Sequence, residues 1–367
     1  MKIRNTSASG RFFVNLLKKK VNNYVISLLF AQLLMLQVFS QEESTEKTVN
    51  TGFRIMFYNV ENYFDAEVDT SLSYNEFTPG GDLHWTSRKF EAKRNALYRV
   101  ITALGGWASP TIIGMVEVEN DAVLASLIEN TPLNKKGYQS IHFDSPDFRG
   151  IDAALLYRPP FMPLSAKPIR ITDPKEPSFT TRDMLYVVGL LGDDTVHVVV
   201  NHWTSRYRGL MESEPKRMLQ AHRLLQLTDS ICGVNPAANI IVMGDFNDGP
   251  ENASMQELTK VGHGCPLINL PLQSQNKSVK GTHKFQGNWA VLDQFLVSKN
   301  MIDSSNNLQV VDGHGNIFTA SLVLETDEKF GGLRPNRTNI GFTYHGGYSD
   351  HLPVFLDIKT MSPLRKP

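Results

Sequence analysis

Only two cysteines, Cys232 and Cys265, occur in the 367 residues. That excludes a cysteine-dense disulfide scaffold, and two thiols so far apart make no structural zinc site. No internal repeat and no long low-complexity run is present, which excludes solenoids and fibrous arrays. Residues 1–40 contain no acidic side chain at all. The whole chain also lacks a charge bias, with 37 Lys+Arg against 37 Asp+Glu. A strongly basic surface for gripping long nucleic acid is therefore not indicated by composition.

What is present is an ordinary globular composition, 41% hydrophobic and 20% charged, long enough for a substantial core. The first 40 residues stand apart. They carry Lys2, Arg4, Arg11, Lys18, Lys19 and Lys20, then an apolar run from about Tyr24 to Phe39, then Ser40 before a polar start. This is the pattern of a secretory signal peptide, with an uncleaved membrane anchor as the alternative. The run holds no Cys, so lipid attachment there is not expected. The expected organisation is a signal peptide at 1–40, a linker at 41–52, one domain at 53–360 and a tail at 361–367. Losing the first segment leaves 31 basic against 37 acidic side chains, a net charge of about −6. In an exported chain Cys232 and Cys265 could pair, or could be two small buried hydrophobes.

Along the domain, short apolar strands alternate with amphipathic helices. Strands are expected at Phe53–Asn59, Thr111–Val118, Tyr138–Phe143, Asp152–Tyr157, Met184–Leu191, Val196–Asn201, Asn239–Met243, Ala290–Val297 and Leu352–Ile358. A helix from Arg88 to Leu104, with Thr86 or Ser87 as its cap, places Phe90, Leu97, Val100, Ile101 and Leu104 on one face. Further helices are expected at Asp121–Glu129 and Glu214–Ile231. Residues 303–333 read as loop or irregular strand. Hairpin and crossover spacings occur together, which indicates an α/β fold with mixed sheets.

Several apolar runs end in groups that do chemistry. Ile240–Gly244 leads into Asp245-Phe246-Asn247, Thr111–Val116 into Glu117, Val196–Val200 into Asn201-His202, and Val291-Leu292 into Asp293. Asp350-His351 stands just before another strand. Strand ends aligned in a sheet gather such groups in one crevice. Carboxylates converging there would repel one another without a cation, and oxygen and imidazole donors without thiolates favour Mg²⁺, Mn²⁺ or Ca²⁺.

These residues occur in ordered motifs: Phe-Tyr-Asn59-Val-Glu-Asn, Met-Val-Glu117-Val-Glu-Asn, Arg149-Gly-Ile-Asp152, Asn-His202-Trp-Thr-Ser, Gly-Asp245-Phe-Asn247, Leu-Asp293-Gln-Phe and Ser-Asp350-His351. Together, and in this order, they resemble the endonuclease/exonuclease/phosphatase superfamily, over Phe53 to about Lys359. The resemblance implies a four-layer α/β sandwich of the deoxyribonuclease I type, with two packed mixed β-sheets flanked by helices. It further implies a divalent cation, Mg²⁺ foremost, held by Glu117, Asn59 and Asp350. Asp245 would orient or deprotonate water, and Asn247 would hold a phosphate oxygen. His351 would be the paired imidazole, with Asp293 fixing its tautomer. His202 would meet the phosphate and Arg149 would contact it.

Asp152 and Arg206 are further candidates for the site. Glu119 is another, because it stands two residues beyond Glu117 where the deoxyribonuclease pattern has a basic residue. Strand alternation puts Glu119 on the same face as Glu117, which adds negative charge and counts against duplex DNA. The remaining histidines, His283 among them, read as packing or surface residues, and Arg88, Lys89, Lys93 and Arg94 as a solvated helix face. The expected function is an exported phosphodiester hydrolase acting on nucleic acid, monomeric, free of stable membrane insertion after cleavage, and periplasmic, outer-surface or extracellular. The alternatives are a phospholipid or inositol-phosphate phosphoesterase and a catalytically silent binding module.

Overall fold

A computed structural model describes residues 52–68, 75–106, 108–207 and 209–361. The chain divides into two units, Met1–Val49 and Asn50–Pro367, and every described residue belongs to the second. The expected signal peptide lies outside the described residues, as does all but the last residue of the expected linker.

Two mixed sheets carry the fold. Sheet I runs in the order β10 (Leu272–Ser274), β15 (Gly315–Ile317), β20 (Val354–Thr360), β1 (Gly52–Tyr63), β2 (Ile112–Val118), β4 (Asp152–Tyr157), β3 (Gln139–His142), with β14 (Leu308–Val310) also pairing β20. Sheet II runs β5 (Phe161–Ile169), β6 (Met184–Leu191), β7 (Asp194–His202), β8 (Asn239–Asp245), β13 (Asp293–Ser298), β9 (Leu267–Asn269). Parallel pairing joins β1 to β2 and β7 to β8, so these four strands point their C-terminal ends the same way within each pair. Three small hairpins complete the described strands: β11 (His283–Phe285) with β12 (Asn288–Ala290), β16 (Leu324–Thr326) with β17 (Leu333–Pro335), and β18 (Asn339–Ile340) with β19 (Thr343–Tyr344).

The strand period explains the layering. On β8, Ile241 and Met243 join the core between the sheets, whereas Ile240 and Val242 join a second core beneath a long helix, α3 (Leu210–Val234). The same outer core takes Leu224, Leu225 and Ile231 of α3 and Met255 and Leu258 of α4 (Ala253–Thr259). On the other side, α1 (Ser87–Gly105) and α2 (Asp121–Glu129) cover sheet I with Leu97, Val100, Ile101, Leu104, Val123, Leu124 and Leu127. Each such side chain contributes about 1.5–3 kcal/mol by leaving water. The order is helix, sheet, sheet, helix. Thr86 starts α1 by accepting the Lys89 N–H, a cap worth about 1 kcal/mol. Between the sheets, Gly114 of β2 faces Met243 of β8 so closely that a β-carbon on it would lie 2.8 Å from the Met243 sulfur.

Two expectations from sequence change. The strand expected at Ala290–Val297 is split, because the Thr282 hydroxyl takes the N–H groups of both Leu292 and Asp293 and breaks the ladder there. Lys93 is not on a solvated face: it is 1% exposed, and its ammonium donates to Thr338 Oγ1 and to the Tyr348 carbonyl. Cys232 and Cys265 are joined as a disulfide, which ties the last turn of α3 to the segment before β9.

Candidate active site

The site is assembled where both sheets end. His202 closes β7 and sits directly across the ladder from Asp245, which closes β8, and Asp245 in turn pairs with Asp293 at the start of β13. Gly244 is required before Asp245, since a β-carbon there would lie 2.5 Å from the Asn201 carbonyl oxygen. From sheet I come Asn59 and Glu117. The β1 chain passes through left-handed Glu61 (φ 51°) and Asn62 (φ 58°) just after Asn59, with a register shift. Glu117 is itself left-handed (φ 65°) and is the extra residue of a bulge between Val116 and Val118. Left-handed non-glycine residues are costly and gather at functional sites.

The side chains form a row. The Arg149 guanidinium lies 3.8 Å from Glu117 Oε2, and Glu117 Oε1 lies 3.7 Å from His202 Nε2. His202 Nε2 and His351 Nε2 stand 3.7 and 3.8 Å from Asp245 Oδ2. The same Asp245 oxygen accepts from Asn59 Nδ2 at 3.0 Å and from Asn247 Nδ2 at 3.3 Å. On its far side His351 Nδ1 meets Asp293 Oδ2 at 2.7 Å. Ser349 Oγ donates to the Asn59 carbonyl and accepts the His351 N–H, which ties the segment before β20 to the end of β1.

Electrostatics separate the two imidazoles. Burial, with the cationic Arg182 and Arg149 nearby, holds His202 well below its usual range, so it is neutral. Burial opposes the charge of His351 too, but Asp293, Asp245 and Asp350 outweigh it and hold that ring protonated well above its usual range. Asp245 is pushed up to about 7, chiefly by burial, against the pull of His351 and with Asp293 adding to the rise. A cation beside it would keep it ionised. Asp293 Oδ1 and His202 Nδ1 are buried without a hydrogen-bond partner.

Hard oxygen donors and imidazoles with no thiolate, including a Glu117 carboxylate left partly open, suit a divalent cation of the Mg²⁺ class. Asp245, Asp293 and His351 form one group close enough to share an ion, and His283, Asp350 and His351 form another. Asp350, expected as a ligand with Glu117, belongs to the second of these groups and also accepts from Arg337 Nη2 at its Oδ2, at 3.0 Å. Burial alone would raise the Asp350 carboxyl, but His351, Arg337, His283 and Lys93 together bring it below its usual value.

Three expected residues fall beside the row and not in it. The bulge at Glu117 breaks the two-residue period, and the Glu119 carboxylate accepts the Asp65 N–H at 2.7 Å. Asp152 accepts the Ser145 N–H and meets His142 at 3.1 Å, which steadies the loop that carries Arg149. Arg206 donates to the Asn247 carbonyl and to Asp248 and Asn252, so it fixes the turn after Asp245. Asn247 donates to the Trp203 carbonyl at 3.1 Å as well as to Asp245, and thereby braces that carboxylate. Trp203 is fully buried in the outer core.

Other residues in and around the row were not expected. His283 packs against His351 with ring centroids 4.7 Å apart and the rings tilted by 39°, beside an isolated bridge between the two backbones. Glu61 accepts the Thr338 and Asn339 N–H groups and lies beside Arg337. Arg217, wholly buried, pairs with Asp248 at 2.7 Å. Arg182 bridges Asp147 and the Trp203 carbonyl.

A family model described as the endonuclease/exonuclease/phosphatase family matches residues 54–360. Among solved structures, the chain is similar to a Bacteroides vulgatus protein of that description, at 14% identity and a TM-score of 0.54, covering 84% of this chain and 99% of the other. It is also similar to a mannosyl-6-phosphatase of Bacteroides thetaiotaomicron (17%, 0.52, covering 83% and 99%). A third likeness is to truncated TDP2 of Caenorhabditis elegans (15%, 0.51, covering 84% and 98%). At these identities the likeness is one of fold. No curated protein matches the chain.

Proposed function

The chain belongs to the endonuclease/exonuclease/phosphatase family, and on that premise we propose that it is an exported phosphodiester hydrolase that depends on a divalent cation and acts on nucleic acid. The observation that carries this is the pair of imidazoles on either side of Asp245, one neutral and one protonated. Groups whose proton affinities are pushed apart in one crevice are what acid–base chemistry near neutrality needs.

Glu117 and Asn59 would hold the cation, which when bound draws charge from the phosphoryl oxygens and acidifies water. Asp245 Oδ2, oriented by Asn59 and Asn247, takes the proton of the water whose oxygen forms the new bond to phosphorus. The bond to the leaving oxygen breaks, and His351, steadied by Asp293, is placed to supply that oxygen's proton. Neutral His202 and the Arg149 guanidinium face the remaining phosphoryl oxygens. Export rests on the basic and apolar pattern of residues 1–40.

A phospholipid or inositol phosphate is the alternative substrate, favoured by the net negative charge beyond residue 40. Its second support, Glu119 on the face of Glu117, is removed by the bulge. The test is hydrolysis of plasmid DNA and bis(4-nitrophenyl) phosphate by protein starting near Gln41, with Mg²⁺, Mn²⁺ or Ca²⁺ and with chelator, beside Asp245→Ala. Cleavage of both that needs metal and Asp245 supports the proposal. Activity untouched by chelation would sink it, and cleavage of the small diester alone would move the substrate to lipid or sugar phosphates.

A further inference from the structure

The row of reacting groups has two ends, and an exposed phenylalanine stands at each. At the Arg149 end, Phe148 precedes Arg149 in the chain and is 78% exposed. At the other end, β11 places Phe285, 66% exposed, on the same side as His283, which packs against His351. Lys284 between them is turned the opposite way, into Asp327 and the Gly331 carbonyl. Neither phenylalanine belongs to a core cluster of the described residues. The backbone beside each is anchored. The Phe148 loop is tied by Asp147 to Arg182 and by Ser145 to Asp152. The Phe285 hairpin is tied by Thr282 to Leu292, Asp293 and Leu352.

Exposed apolar side chains scattered singly carry no message. Two exposed aromatic rings on anchored backbone, one at each end of a phosphate-chemistry row, do, because a phosphodiester also has a group on either side. Resting on the nucleic-acid reading above, we propose that Phe148 and Phe285 are stacking platforms for the two bases that flank the scissile phosphate, so that the substrate is single-stranded or unpaired nucleic acid. In a duplex those faces are already stacked on neighbouring bases, and exposing them costs energy that an unpaired strand does not require. A bilayer is disfavoured by the layout. A membrane touching both rings would have to cover Arg149, Glu117 and Asp245 between them, whereas membrane contact favours one continuous apolar face.

The experiment compares kcat/KM, at fixed salt and Mg²⁺, on four substrates. These are a labelled single strand, the same strand in a duplex, the same strand with abasic positions, and phosphatidylcholine vesicles, with bis(4-nitrophenyl) phosphate as the measure of basal diester chemistry. The single strand should exceed the duplex by at least about tenfold, and each lost base should cost about tenfold. Phe148→Ala and Phe285→Ala, both exposed positions, should each shrink the preference for base-bearing over abasic strand by a similar factor. Equal cleavage of single strand and duplex, or a preference that survives both substitutions, overturns the proposal. So does hydrolysis of the vesicles with the strands left intact. If the small diester is cut while these signs are missing, this inference alone falls. If no diester is cut, the phosphodiesterase reading falls with it.

Discussion

Sheet II hands His202, Asp245 and Asp293 to the site from strands in unbroken register, whereas sheet I delivers Asn59 and Glu117 from strands that bend as they arrive. Their supports differ in the same way. Behind Asp245 lies one buried pair, Arg217 with Asp248, which also takes Ser254 and Arg206. Behind Asn59 lies a spread network in which Lys93, Glu61, Arg337 and Asp350 join α1, β1 and the segment before β20. Regular ladders set positions to a fraction of a residue. A bent strand must be held in place from outside, and here buried Lys93 and partly exposed Arg337 do that. The sheet II half therefore suits proton transfer, which demands fixed geometry, and the sheet I half suits a cation, whose ligands tolerate adjustment.

The sharpest way to break this contrast is to substitute one carboxylate from each half. Asp293→Asn should lower kcat by about 10²–10⁴, because the amide no longer fixes the His351 tautomer, and extra metal should not restore it. Glu117→Gln should raise the Mg²⁺ concentration for half-maximal activity by about tenfold or more, with recovery at high metal. A metal titration of both variants decides it, and metal rescue of the Asp293 variant would end the division of labour.

Next in size are the supports. Arg217→Met takes the wholly buried partner from Asp248 and should cost about 3–5 kcal/mol in denaturant unfolding, whereas Lys93→Met leaves the Thr338 hydroxyl and the Tyr348 carbonyl without their donor and should cost less, about 1–3 kcal/mol. Of the two, Lys93→Met should also raise the metal requirement of the folded enzyme. Reducing the Cys232–Cys265 bond, which closes a separation of 33 residues, should cost about 3–4 kcal/mol while leaving activity at 25 °C intact. Loss of activity before loss of structure would show that α3 steers the site and does more than brace it.

The smallest effect concerns His142 of β3. Burial opposes its charge, but Asp152, Asp121 and Asp144 outweigh that and raise it above the usual 6.5. A raised histidine is stabilising while protonated, so its contribution is complete below pH 6.5 and is lost as the pH rises through the folded-state value. Denaturant midpoints measured on both sides of that window should fall in the parent and stay flatter in His142→Gln. Parallel slopes would remove His142 from the support of the Arg149 loop.

The same contrast explains what was legible in sequence. β8 and β7 announce themselves, because an apolar run meets a catalytic group at its end, and α2 matches its expected limits of Asp121–Glu129. The β1 extension is hidden, since no residue pattern signals left-handed Glu61 and Asn62. Lys93 sits among Arg88, Lys89 and Arg94 and looks like one more surface cation. Its partners Thr338 and Tyr348 are 245 and 255 residues away, and only the folded chain brings them together. His283 reaches His351 through a single bridge between segments 68 residues apart, which leaves no periodicity to find.

The contact of Gly114 with Met243 has an evolutionary corollary. A β-carbon at 114 would press on a fully buried methionine, with a Phe57 ring carbon 3.3 Å away. Glu117 lies three residues along β2 from this contact and Asp245 two residues along β8, so prying the sheets apart there opens the catalytic row. Positions 114 and 243 should thus change in concert. A relative with alanine at the first is expected to carry a shorter side chain at the second, and the gap between Glu117 and Asp245 is inherited through that pair.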